Sequence, residues 1–163
     1  MPRPTTLVLG LGNPIVTDDS VGLRVAALLK SELAGLPDVA VEEDCWGGLR
    51  LMERLAGFSR AIVIDAVQSG APPGTIHRLT PHDLPTQHSA SAHDVNLPTA
   101  LAFGRKMGLV LPPDDRLVLV AVEAADILTF GEACTPEVEA AIPHAVQTVR
   151  QVLAEWDCLS PAD

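Results

Sequence analysis

At 163 residues, 47% of them apolar, the chain has the size of one domain built around one core, and residues 1–163 read as a single unit. Its 21 acidic against 11 basic side chains leave a formal charge of −10, which repels a phosphate backbone and argues against a nucleic-acid partner. No apolar run nears the roughly 18 residues of a membrane span, and the three scattered cysteines, Cys45, Cys134 and Cys158, form no zinc knuckle or disulfide framework, so they read as free thiols of a cytoplasmic protein.

The first residues, interrupted early by Gly, Asn and Pro, do not read as a signal peptide. Residues 5–10 (TTLVLG) predict a short buried strand. Over 20–35, Val21, Val25, Leu28 and Leu29 line one face of a helix. A strand at 39–44 and a helix at 48–57, ended by glycine, come next. The β-branched run RAIVIDAV at 60–67 predicts a strand buried on both faces. TIHRL at 75–79 follows the turn signal PPG and predicts an edge strand. Residues 80–92 read as a loop, with a helix from Asp94 to Met107 that holds Pro98 in its first turn. RLVLVAVE at 116–123 predicts another buried strand. A last helix starts at Thr135-Pro136 and runs to about Trp156, with a kink at Pro143, and residues 157–163 read as a frayed tail.

Strands and helices alternate. The expected class is therefore α/β: a three-layer sandwich whose mostly parallel, twisted sheet of about five strands carries helices on both faces. Ligands in such sheets bind beyond the carboxyl ends of the strands. Asp18 and Asp19 follow the first strand, Asp65 ends the third, and His93 lies where the 80–92 loop meets a helix. If strands one and three are neighbours, these groups converge on one crevice. Asp18 or Asp19 alone reads equally well as a helix N-cap. Asp65, a carboxylate in an apolar strand, needs a partner. His77, His82 and His88 read as surface residues. Two carboxylates about 5 Å apart repel by roughly 3 kcal/mol at an effective dielectric near 20, which a cation or a shared proton offsets. An imidazole beside them favours a borderline divalent ion such as zinc or nickel over magnesium or calcium.

Three spaced motifs, VLGLGNPIVTDDSVGLRV, IVIDAVQSGAPPGTIHRL and SAHDVNLPTALAFGRKMG, together with EEDCWGGLRLMERL and TPEVEAAIPHAV, cover nearly the whole chain. In order and content they resemble the maturation endopeptidases of nickel–iron hydrogenases. The resemblance implies a phosphorylase/hydrolase-like fold. It implies removal of a C-terminal extension from a hydrogenase large-subunit precursor once nickel has been inserted. It also implies metal contacts through Asp19, Asp65 and His93, with the first position, usually glutamate in the family, filled here by Asp19 or Asp18. The nickel is expected to arrive with the substrate, and no organic cofactor is expected. Gly10, Gly12 and Asn13, with Gly47 and Gly48, are expected to let an extended peptide approach. The stretch VEAADILTFGEACTPEV resembles the longer form carried by one subgroup of the family.

Other readings share parts of the pattern. GLGNP also resembles the start of peptidyl-tRNA hydrolase, which needs a basic groove that a −10 chain is not expected to supply. A dinucleotide-binding module would use Gly10-x-Gly12, but Ile15 takes the place of its third glycine. A serine hydrolase built on Ser89 or Ser91 lacks the G-x-S-x-G elbow.

Overall fold

Five short apolar runs pair into one sheet in the computed structural model, which describes residues 3–45, 50–83 and 97–159. Strand β1 (Thr6–Leu11) pairs in parallel with β2 (Val39–Asp44) on one side and β3 (Arg60–Val67) on the other. Strand β5 (Leu117–Glu123) continues the parallel run beside β3, and β4 (Ile76–Leu79) closes the edge antiparallel to β5, giving the order β2-β1-β3-β5-β4. The β-branched and leucine-rich character of β1, β3 and β5 follows from this placement, because inner parallel strands are covered on both faces.

Side chains alternate between two cores. Val8, Ile62, Ile64 and Val120 point to one face, where they meet α1 (Val21–Glu32) and α4 (Pro136–Glu155). Leu7, Leu9, Val63 and Leu119 point to the other and meet α2 (Arg50–Leu55) and α3 (Leu97–Lys106). The expected three-layer sandwich and the neighbouring positions of strands one and three are both found. The chain leaves β1 through α1 on one face and leaves β3 for β5 through α3 on the opposite face. A crevice therefore opens between the carboxyl ends of β1 and β3, the switch point at which such sheets bind ligands.

Two expectations need correction. Leu28 was placed on the buried face of the first helix, yet it is half exposed while Val21, Val25 and Leu29 are fully buried. At about 100° per residue, the buried arc runs from Val21 through Val25 and Leu29 to Ala26, and Leu28 falls just outside its rim. His77 was read as a surface residue, but its ring is mostly covered and bonded to a buried glutamate, because β4 packs directly on β5. Pro143 lies inside α4, and Pro98 sits in the first turn of α3 as expected. In the expected frayed tail, Cys158 and Leu159 pack partly buried against the α1/α4 core, and residues 160–163 lie outside the described residues.

Glycines set how closely α1 can lie on the sheet. A Cβ on Gly22 would stand 2.3 Å from the Leu11 carbonyl oxygen and 2.5 Å from that of Ile64. A Cβ on Gly10 would stand 2.3 Å from the Gly22 oxygen and 2.6 Å from the Ala26 Cβ. The start of α1 thus rests directly on the backbones of β1 and β3. Gly22→Ala is expected to cost about 2–3 kcal/mol through overpacking, read as a lower urea midpoint with an unchanged slope. A midpoint equal to the parent's would show that the helix does not lie this close.

Candidate active site

The residues after β1 form a tight turn. Asn13, Pro14 and Ile15 lead into a one-turn 3-10 helix, Asp18–Ser20, that runs directly into α1. Gly12 makes that path possible: a Cβ there would stand 2.1 Å from the Asp19 carbonyl oxygen. What approaches Gly10 and Gly12 closely is therefore the chain's own backbone, folded back so that the aspartates sit over the ends of β1 and β3. The 3-10 turn touches β3, and Ile64, whose carbonyl oxygen lies against Gly22, immediately precedes Asp65.

The two adjacent aspartates have different tasks. Asp18 is completely buried. Its Oδ1 accepts from the Thr135 backbone N–H at 2.7 Å and from the Thr135 hydroxyl at 3.0 Å. Its Oδ2 accepts from the backbone N–H groups of Ala125 at 2.8 Å and Asp126 at 2.9 Å, and from the Thr135 hydroxyl at 2.8 Å. Thr135 is the N-cap of α4, so Asp18 ties the connection between β5 and α4 to the turn after β1. It is not a cap of its own helix. With both oxygens engaged by the protein and no exposed surface, Asp18 has no lone pair directed at a ligand. Asp19 is also buried, 5% exposed, and its Oδ2 accepts from the Asn13 backbone N–H at 3.1 Å.

Asp65 sits at the carboxyl end of β3 with 6% exposure, and its Oδ1 accepts from the Ala66 N–H at 2.8 Å. Strand alternation directs it to the α2/α3 side, where Val63 also points. The structure thus brings Asp19 and Asp65 to one end of the sheet, at neighbouring strands. His93, Gly47 and Gly48 lie outside the described residues, and among the described residues no three His, Cys, Asp or Glu side chains gather as a metal site.

Two further carboxylates lie at the same end of the sheet. Asp44, ending β2, is paired with Arg54 at 2.9 Å and Arg50 at 3.3 Å, which fixes the start of α2. Glu123, ending β5, is 1% exposed. It accepts from the Ser69 N–H at 2.7 Å and the Ser69 hydroxyl at 2.5 Å, and its Oε1 lies 3.1 Å from His77 Nε2. Sequence reading missed Glu123, although a carboxylate closing an apolar strand was the signal that singled out Asp65. Burial pushes the Glu123 carboxyl up, but the hydrogen bonds from Ser69 and His77 outweigh it and hold the group below the usual glutamate range. A lowered folded-state value stabilises the fold above the unfolded value, and that stability is lost as pH falls through the acid range. Glu123→Gln is expected to flatten the acid limb of a stability-against-pH curve, and an unchanged limb would show that this carboxylate does not carry it.

An open depression lined by His82, Arg105, Leu111 and Asp114 lies at the amino end of β5. Asp114 is paired there with Arg105 at 2.9 Å and lies 3.4 Å from His82 Nε2, and the depression is at the opposite end of the sheet from Asp19 and Asp65.

Comparison with known proteins decides the family. A profile described as hydrogenase maturation protease matches residues 23–152, most of the chain. The chain belongs to the hydrogenase maturation protease family. It is 28% identical over 158 residues to the hydrogenase expression/formation protein HupD of Rhizobium leguminosarum bv. viciae, covering 95% of this chain and 77% of that one. It is 31% identical over 153 residues to the hydrogenase 2 maturation protease of Escherichia coli K12, covering 91% and 90%. Among solved structures it is similar to the hydrogenase maturating endopeptidase HybD from Escherichia coli, with a TM-score of 0.72, 32% identity and 92% of each chain covered. This hydrogenase maturation protease is thus an endopeptidase on a five-stranded, mostly parallel α/β sheet. Membership sets aside the peptidyl-tRNA hydrolase, dinucleotide and serine-hydrolase readings. No helix among the described residues is long and apolar enough to cross a membrane.

Proposed function

We propose that this protease removes the C-terminal extension of a nickel–iron hydrogenase large-subunit precursor after nickel insertion, in the cytoplasm. In this reading it recognises the nickel carried by the substrate through Asp19, Asp65 and His93. The observation that supports the reading most is the burial of two carboxylates from separate segments at the β1/β3 switch point, Asp19 at 5% and Asp65 at 6% exposure. Buried like charges at neighbouring strand ends are stabilised by a cation between them. The family membership supplies the substrate class.

Asp19 and Asp65 act as hard oxygen donors, and His93 adds the nitrogen that suits a late first-row ion. The cargo ion contributes Lewis acidity when it sits among them. Water adds to the scissile carbonyl carbon, a carboxylate takes its proton, and the C–N bond breaks as that proton passes to the leaving amine. A precursor without nickel lacks the ion that these side chains grip, so it is left uncut.

Mass spectrometry of a candidate large-subunit precursor tests this. Incubation with the protease is expected to remove the extension from nickel-loaded precursor only. Equal cutting with and without nickel would overturn the proposed recognition, and failure to cut either form would overturn the substrate.

A further inference from the structure

The connection from β5 to α4, residues 124–135, exposes large apolar side chains beside the aspartate turn. Leu128 is 85% exposed and Phe130 is 76%, and Ile15 across from them is 55%. Isolated exposed apolar residues need no explanation, but a contiguous group of them on an ordered surface marks an interaction site. Here the backbone is tightly held. Val16 and Phe130 form an antiparallel bridge, the Gly131 N–H donates to the Ile15 carbonyl at 2.9 Å, and the Thr17 N–H donates to Thr129 O at 3.1 Å. The Thr17 hydroxyl donates to the same oxygen. Inside the loop, the Asp126 carboxylate accepts from the Leu128 and Thr129 N–H groups at 2.9 and 3.0 Å. Asp18 clamps both ends of the connection, through Ala125 and Asp126 at one and Thr135 at the other.

We infer that Ile15, Leu128 and Phe130 form a preorganised apolar docking surface for the precursor protein, outside the segment that is cut. The inference rests on the function proposed above and names how its substrate is held. The surface is continuous with the catalytic crevice: the strand segment that carries Ile15 and Val16 becomes, within four residues, the turn that carries Asp19. Whatever offers a peptide bond to Asp19 and Asp65 therefore lies against this ribbon. Neither 13–20 nor 124–135 contains a Lys or Arg, while Glu132 is exposed. That charge pattern disfavours an anionic membrane, which basic residues would attract. It also disfavours a second copy of this chain, whose own −10 charge and Glu132 would face it. An apolar patch on a different protein is the occupant left, and a rigid display lowers the ordering cost of binding it.

The test compares wild type with the double variant Leu128→Ser, Phe130→Ser, whose native side chains are too exposed to support the fold. Steady-state processing of nickel-loaded precursor, resolved into KM and kcat, is measured beside a thermal melt of each protein. The double variant is expected to raise KM for the precursor at least tenfold with kcat within twofold, and to melt as wild type does. An unchanged KM for the precursor overturns the inference while leaving the proposed function standing. Wild type that cuts no precursor removes the proposed function and this inference together. Concentration-dependent dimerisation or binding to anionic vesicles that the same substitutions abolish also overturns it, because the surface would then belong to another partner.

Discussion

Asp65→Ala is expected to abolish processing of a nickel-loaded precursor, by more than about 100-fold, while the protein stays folded. The side chain ends β3 at the crevice, where its Oδ1 accepts from the Ala66 N–H at 2.8 Å. Removing it deletes one oxygen donor from the proposed set, and loss of even a supporting partner at a metal site costs about 10- to 100-fold. Asp65→Asn is the sharper variant, since it keeps shape and burial and removes only the charge. His93→Ala is expected to match it. The readout is precursor mass over time together with a thermal melt. Full-speed cleavage by both Asp65→Ala and His93→Ala would dismiss the proposed site.

The adjacent aspartates are expected to separate by phenotype. Asp18→Ala strips the acceptor from three backbone N–H groups and the Thr135 hydroxyl at once. Hydrogen bonds to a charged acceptor are worth about 1.5–3 kcal/mol each, and leaving buried donors unmet costs more than the bonds were worth. Allowing for water entering at the loop, a loss of about 4 kcal/mol is expected, or a fall in Tm of roughly 8–16 °C. Asn is a poor rescue, because both oxygens of Asp18 accept from N–H donors and an amide NH2 would meet one of them. Asp19→Ala is expected to leave Tm within a few degrees and to stop processing. A melt unchanged by Asp18→Ala, or a large fall on Asp19→Ala with activity retained, would reverse the two assignments.

Much of the chemistry was open to reading from residue order, and the limits are informative. Strands at 39–44 and 60–67 match their predicted bounds, the first from its alternation and the second from a largely β-branched apolar run. Asp65 stood out because it breaks such a run. Glu123 carries a comparable signal, yet it closes its strand and so resembled an ordinary strand end. The glycines of the first motif suggested room for a visitor, whereas Gly10 and Gly12 make room for α1 and the aspartate turn. Gly22, inside a helical pattern, gave no hint that two strand carbonyls lie against it. Composition cannot separate these cases, since a missing Cβ looks the same whichever atom fills the space.

Local order along the chain determined the α/β class, the strand positions, and the presence of acids at two strand ends together with a histidine before the third helix. Those features depend on side-chain periodicity and on where polar groups interrupt apolar runs, both of which are local. The hydrogen-bond partners of Asp18, the clamp on residues 124–135, and the exposure of Ile15, Leu128 and Phe130 beside the aspartate turn were decided only by tertiary structure. A carboxylate's role depends on which donors reach it, and the donors to Asp18 come from more than 100 positions away.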